Sequence, residues 1–242
     1  MRHDNLPTLE VCASPALLHL YNVPASIVVI IDVLRATSTI ASALYNGAAR
    51  VIPVDSVEAC IRTGLETGGL TAGERDGKVV EGLQHGNSPL EYPRSFIEGK
   101  TLVLTTTNGT RLLHKSAGAR QIITGSFPNL SAVCDYLTAQ QLPVILGCAA
   151  WKDRINLEDL LFAGAVAERL APHFHVHCDT ALAAGQLYRL FRDDLFSAVR
   201  KAVHYERLAA FGLEEDVRYC LTPDIAPVLP LLQNGALKAA AR

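Results

Sequence analysis

Apolar residues in this chain fall in short solid runs separated by helix-length amphipathic stretches, from about residue 27 to residue 170. Solid runs of this length predict strands buried on both faces. Ile27–Val33 predicts the first, followed by a helix over Ser38–Asn46 that Gly47 stops. Arg50–Val54 predicts another strand, and Asp55 or Ser56 caps a helix that ends near Gly68. Leu70–Ala72 predicts a short strand leading into the polar, glycine-rich GERDGKVVEGLQHGNSP. Thr101–Thr106 predicts a strand running into TNGT, and Gln121–Thr124 one followed by a helix from about Asn129 to Gln140. Pro143–Cys148 predicts a further strand and Leu157–Leu170 a long amphipathic helix.

Strands alternating with helices predict an α/β protein whose mainly parallel sheet is covered on both faces. Ligands in such sheets bind beyond the carboxyl ends of the strands. The polar motifs follow Val33, Ala72, Leu104 and Cys148, so four segments are expected to meet at one rim. After about His173 the pattern changes to an alternating HFHVHCD, helices around Ala181–Arg192 and Ala198–Phe211, and a proline-rich tail. Without a repeat or linker the expectation is a single domain over 1–242, with 173–242 as a second lobe or covering element.

Composition narrows the function classes. The 242 residues are 49% hydrophobic and 19% charged, which fits a well-buried core and excludes disorder. A net charge of −2 gives no electrostatic case for nucleic acid or an anionic membrane, so any anion site must be a local cluster of donors. No apolar run approaches the ~20 residues of a membrane helix. MRHDNLPTLE lacks the regions of a signal peptide, and the six scattered cysteines contain no CxxC. Both point to a cytoplasmic protein with reduced thiols.

The run IVVIIDVLRATSTI holds the first candidate chemistry. Asp32 at a strand end suits a Mg²⁺ ligand or a phosphoryl-accepting nucleophile, with a helix cap as the plainer role. Arg35 offers a fork for phosphate or carboxylate, or an ion pair with Asp32. Thr37, Ser38 and Thr39 can cap the helix and donate to an anion. Gly73-Glu74-Arg75 and Gly86-Asn87-Ser88-Pro89 bracket a loop, with Pro89 suited to the first turn of a helix capped by Asn87 or Ser88. Thr105–Thr110 reads as a strand–turn–helix anion cradle, because the helix-like RLLHKSA that follows disfavours an Asn-Gly hairpin. Glu158 and Asp159 suit the positive end of a helix dipole, and one of them paired with Asp32 could complete a Mg²⁺ site. His173, His175 and His177 have spacing that could hold zinc, although a solvated strand face is simpler. His204 is open to a proton-donor, phosphate-ligand or structural role.

Taken together and in order, DVLRATSTI (32–40), GER (73–75), GNSP (86–89), TTTNGT (105–110) and EDLLFAG (158–164) resemble the 2-phosphosulfolactate phosphatase family, with a weaker match in HYERLAAFGLEEDVRYCLTPD (204–224). Leu83 stands where an aromatic residue is expected, and HFHVH is peculiar to this chain. The resemblance implies a three-layer α/β/α fold with a largely parallel or mixed sheet. It also implies Mg²⁺-dependent hydrolysis of 2-phosphosulfolactate to sulfolactate, a coenzyme M precursor, and inorganic phosphate. On this basis Asp32, Arg35 and Glu158 are the expected catalytic residues, and Asp32, Glu158 and Asp159 the metal ligands. Thr37, Ser38, Glu74, Arg75, Asn87, Thr106, Thr107, Asn108, Gly109 and Thr110 are expected to bind a small phosphorylated 2-hydroxy acid. A homo-oligomer is left open. The rival readings are a lyase or isomerase acting on a phospho-acid, and a non-catalytic binder of such acids.

Overall fold

The computed structural model describes residues 6–75, 78–176 and 178–240; His177 and the side chain of Arg75 lie outside the described residues. Among the described residues there are eleven strands: β1 (Thr8–Cys12), β2 (Ile27–Ile31), β3 (Arg50–Val54), β4 (Leu70–Arg75), β5 (Lys78–Val79), β6 (Thr101–Thr105), β7 (Gln121–Gly125), β8 (Val144–Cys148), β9 (His175–Val176), β10 (Pro230–Gln233) and β11 (Ala236–Ala239). The α-helices are α1 (Ala36–Tyr45), α2 (Val57–Thr67), α3 (Arg94–Ile97), α4 (Gly109–Lys115), α5 (Leu130–Gln140), α6 (Leu157–Leu170), α7 (Asp179–Phe191), α8 (Leu195–Val199), α9 (Val203–Ala209) and α10 (Glu214–Cys220).

The strands form one mixed sheet in the order β5-β4-β6-β3-β11-β10-β7-β2-β8-β1-β9. β4, β6 and β3 make one parallel block, and β7, β2, β8, β1 and β9 another. The hairpin of β10 and β11 joins them, antiparallel to β7 through Leu231↔Ile123 and to β3 through Leu237↔Val51. Three antiparallel steps reverse direction three times, so the two blocks run opposite ways. The blocks are therefore not joined by parallel pairing, yet the four segments expected to meet do so: Arg35 after β2 lies 3.7 Å from Glu74 of β4, Asp32 lies against Gly109 after β6, and Asp159 binds both Val33 and Ala150. What joins the blocks instead is a common apolar core, in which Val28 and Ile30 of β2 and Leu102 and Leu104 of β6 belong to one cluster with Ile40 of α1 and Leu112 of α4.

β2 is buried at every position because it is paired on both sides and covered on both faces, which is why its sequence has no polar alternation. Its other face packs with α5, α6 and α7 through residues such as Val133, Phe162 and Ala181. Small residues bring α6 and α7 close. A Cβ at Gly164 would stand 2.1 Å from the Ala184 carbonyl oxygen, so only glycine admits this approach. That contact seats α6, whose first turn carries Glu158 and Asp159.

The last seventy residues do two things. Helices α7 to α10 line one side of the sheet and its edge, while the hairpin supplies two central strands. Asn234 and Gly235 both take positive φ, at 50° and 78°, as a tight two-residue hairpin requires. The predicted helix over Ala198–Phe211 divides into α8 and α9 around Arg200–Ala202. Among the described residues, no helix is long and apolar enough to cross a membrane.

Candidate active site

The site starts where β2 ends. Thr37 closes the turn between β2 and α1 twice, its N–H donating to the Asp32 carbonyl at 3.0 Å and its Oγ1 accepting from the Asp32 N–H at 3.2 Å. Ser38 Oγ donates to the Val33 carbonyl at 2.8 Å. The hydroxyls expected to bind substrate are thus engaged in holding the turn. One turn further on, Thr39 Oγ1 donates to the Asn87 carbonyl and Ser42 Oγ to the Pro89 carbonyl, each at 2.9 Å. The polar face of α1 in this way staples the GNSP segment over the site. Asn87 is buried, and its Oδ1 has no hydrogen-bond partner among the described residues.

Arg35 is buried and held from two sides. Its Nη1 donates to Asp216 Oδ2, and its Nη2 lies 3.7 Å from Glu74 Oε2. Ser88 Oγ donates to the other Asp216 oxygen at 2.9 Å, so Asp216 ties the GNSP loop to the arginine. Asp216 was not among the expected site residues. In EEDVRYC it looks like an ordinary acid of a helix first turn, and its partner is 181 residues away. Only the weaker family-like segment that contains it could have pointed to it.

Asp32, Glu74, Glu158 and Asp159 form an acidic cluster beside this arginine. Burial pushes the Asp32 carboxyl up to about 6, and the neighbouring charges of Glu74 and Glu158 add to the rise. A protonated His204 and the Gly109 N–H oppose it. Gly109 is placed by the turn after β6, and a Cβ there would stand 2.9 Å from Asp32 Oδ2. The TTTNGT segment therefore reaches Asp32 through backbone. Two of its side chains bind backbone within the segment, Thr110 Oγ1 donating to the Thr106 carbonyl at 2.5 Å and Thr106 Oγ1 accepting the Thr110 N–H at 3.4 Å. Thr107 is exposed and Asn108 half-buried. The expected strand–turn–helix is present, and no hairpin forms there.

The adjacent acids of α6 differ in their surroundings. Asp159 accepts the Val33 N–H at 2.9 Å on Oδ1 and the Ala150 N–H at 3.3 Å on Oδ2, clamping the ends of β2 and β8 together. Burial, followed by the charges of Glu158 and Asp32, raises its pKa well above the ordinary value. Glu158 is 0% exposed. His204 Nδ1 lies 2.5 Å from Glu158 Oε1, while Oε2 is buried with no hydrogen-bond partner among the described residues. A buried carboxylate oxygen without a partner is costly unless a ligand completes it.

Among the described residues, no three His, Cys, Asp or Glu side chains group in a way that could hold a metal ion. Mg²⁺ needs fewer protein ligands, commonly one or two carboxylates with waters and substrate phosphate filling the rest. Asp32 and Glu158 fit that demand in donor type and burial. His173 is exposed and His175 half-buried on the edge strand β9, away from this cluster.

The family described as 2-phosphosulpholactate phosphatase matches residues 12–235. Among curated proteins, the chain is 44% identical over 207 residues to a "Probable 2-phosphosulfolactate phosphatase" of Thermotoga petrophila, covering 86% of this chain and 89% of that one. It is 41% identical over 221 residues to the protein of that name in Synechocystis, covering 88% and 91%. A third protein of that name, in Caldanaerobacter subterraneus, is 39% identical over 215 residues, covering 87% and 89%.

Proposed function

The chain belongs to the 2-phosphosulfolactate phosphatase family, and from that premise we propose that it hydrolyses the phosphate ester of a small 2-hydroxy acid, 2-phosphosulfolactate being the substrate its relatives are named for. Water adds to phosphorus, the bond to the ester oxygen breaks, and that oxygen leaves as the hydroxyl of the acid. Sulfolactate, on the route to coenzyme M, and inorganic phosphate are the products.

The observation that carries this reading is the meeting of Asp32 and Glu158 with the fixed guanidinium of Arg35. A pure anion binder has no use for buried carboxylates beside its arginine, since they repel the ligand. A phosphatase does, because they can hold a cation or take a proton. Arg35, pinned by Asp216 and Glu74, meets substrate oxygens without first losing side-chain freedom. The lack of a side chain at Gly109 lets the Asp32 carboxylate pack against it and accept its N–H, which fixes where that carboxylate points. His204 holds one oxygen of Glu158 and leaves the other directed elsewhere. Asp32 and Glu158 would hold Mg²⁺, which when bound neutralises charge on the phosphoryl oxygens. Asp159, with both oxygens on backbone N–H groups, supports the scaffold on this reading.

With an Asp32 pKa of about 6, the carboxylate is mostly ionised at pH 7.5 and protonated below pH 6. Ionisation is required both to hold the cation and to take a proton from water. Phosphate release in the presence of Mg²⁺ should therefore collapse in Asp32→Asn, and undiminished turnover by that variant contradicts the assignment. A lyase or isomerase would convert the substrate without liberating inorganic phosphate. We place the reaction in the cytoplasm, where the six cysteines, five of them buried, stay reduced.

A further inference from the structure

The substrate proposed above carries phosphate, carboxylate and sulfonate, all anionic, and the acidic cluster has few free donors for them. Arg35 is shared between Asp216 and Glu74. Thr37 and Ser38 hold the turn after β2, and Thr106 and Thr110 bind backbone of their own segment. A further anionic group placed among Asp32, Glu74, Glu158 and Asp159 would be repelled by them. Its donors must come from outside the cluster.

Such donors line a groove of about 720 Å³ that opens from Glu158 and His204. Arg154, Lys201 and Arg207 stand in it against Glu206, while Glu158 is already engaged by His204. None of the three cations forms an ion pair among the described residues. Trp151, Leu157 and Val203 between them are apolar, and low local polarity strengthens the attraction of opposite charges. A sulfonate spreads its charge over all its oxygens, and the weakly hydrated, planar guanidinium suits such a group.

The loop after β8 fixes this arrangement to the site. It starts at Ala150, whose N–H donates to Asp159 at 3.3 Å, and turns with positive φ of 59°, 50° and 61° at Ala150, Lys152 and Asp153. Non-glycine residues take such conformations only where the surroundings impose them. Arg111 donates to both Asp153 oxygens, at 3.0 and 3.2 Å, so Asp153 is taken and Arg154 is left for a ligand. Trp151 and Arg154 exchange two backbone hydrogen bonds of 2.9 Å. From α9 the Arg207 guanidinium lies 4.6 Å from the Trp151 ring centre, which steadies it at the groove.

We propose that Arg154, Lys201 and Arg207 bind an anionic group of the substrate other than the phosphate, and so make this chain select phosphorylated 2-hydroxy acids that carry a strong-acid group besides the carboxylate. The inference rests on the phosphatase reading above. It names the residues that give sulfonate its advantage over an uncharged substituent.

The test compares kcat/KM for phosphate release from 2-phosphosulfolactate and 2-phospholactate, each with Mg²⁺. The sulfonate should be favoured by roughly 100-fold, as two or more charged hydrogen bonds to one group would give. Arg154→Gln, Lys201→Gln and Arg207→Gln should each lower that ratio by roughly ten-fold, through KM rather than kcat. Turnover of 2-phospholactate should change little in these variants, which reports that they are folded. Arg120→Gln serves as the control, because Arg120 is exposed and sits beside Ser26, at the far end of β2 from Asp32. Sulfolactate should also change the fluorescence of Trp151, the only tryptophan in the chain, and lactate should not. A ratio near one, a ratio that none of the three variants lowers, or an equal fall in Arg120→Gln overturns the groove as the selecting site. Sulfolactate that perturbs Trp151 without phosphate release from either ester leaves the anion site standing and contradicts the phosphatase reading. Silence in both measurements overturns both.

Discussion

Replacing Gly109 by alanine separates the chemistry of the site from the stability of the fold. Gly109 begins α4 with a φ outside the left-handed region, so its backbone accepts alanine. By itself this change restricts the unfolded chain and adds about 0.4–1 kcal/mol of stability. The new methyl carbon, however, would stand 2.9 Å from Asp32 Oδ2, with Ala36 Cβ and Thr106 Oγ1 each at 3.4 Å. Ordinary contact begins near 3.5 Å, so the carboxylate must retreat by roughly 0.5 Å. That retreat also stretches the hydrogen bond from the Gly109 N–H. A misplacement approaching 1 Å costs about 100-fold in rate, so a loss of about ten- to 100-fold in kcat/KM is expected. Urea unfolding should find the variant within about 1 kcal/mol of the parent. Full activity would refute the idea that Asp32 must sit against Gly109. A loss of several kcal/mol would show that the backbone, not Asp32, absorbs the clash.

Substitutions at three further positions probe the neighbours. Asp32→Asn should stabilise the fold at high pH. The carboxyl is raised from 3.8 to about 6, so its favourable contribution is present below about pH 4 and is lost as pH rises through 6. The difference corresponds to on the order of 3 kcal/mol, so the variant should melt above the parent at pH 8 and near it at pH 4. An equal gap at both pH values contradicts this. Asp216→Ala leaves a buried arginine with Glu74 at 3.7 Å as its one ion-pair partner among the described residues and should cost roughly 3–5 kcal/mol in urea unfolding. His204→Ala frees Glu158 Oε1 and should weaken Mn²⁺ or Mg²⁺ binding, read by calorimetry, about 10- to 100-fold. His204→Asn places a nitrogen where Nδ1 stood and should restore most of that affinity, whereas equal binding by all three proteins denies His204 its positioning role.

Local pattern made much of this fold legible and left long-range pairing hidden. Ile27–Ile31 is apolar throughout because it lies mid-sheet under helices on both faces, and such a run announces itself. The helix at Leu157–Leu170 appears with the bounds its periodicity predicts. β1 is five residues long, has a glutamate in the middle and pairs only with distant segments, so nothing local distinguishes it. The two Asn-Gly pairs are instructive. Asn108-Gly109 leads from a strand into a helix, while Asn234-Gly235 closes a hairpin whose first strand begins with Pro230. The prolines before it disguised a central element as a tail. In the site, the carboxylates, Arg35 and Gly109 were visible because each sits beside a strand or helix end. That Thr37 and Ser38 hold the turn, that Asp159 clamps two strands and that Asp216 secures Arg35 are facts of packing. Sequence spacing carries no trace of them.

We propose that the acids around Asp32 and the guanidinium of Arg35 form a metal-assisted phosphatase. Incubating the intact chain with 2-phosphosulfolactate while measuring inorganic phosphate and sulfolactate, first with Mg²⁺, then with chelator, then with Mg²⁺ restored, tests it most directly. Equal amounts of both products, release that stops with chelator and recovery when the ion returns are the expected results. Conversion of the substrate without free phosphate, or release indifferent to the chelator, would contradict it.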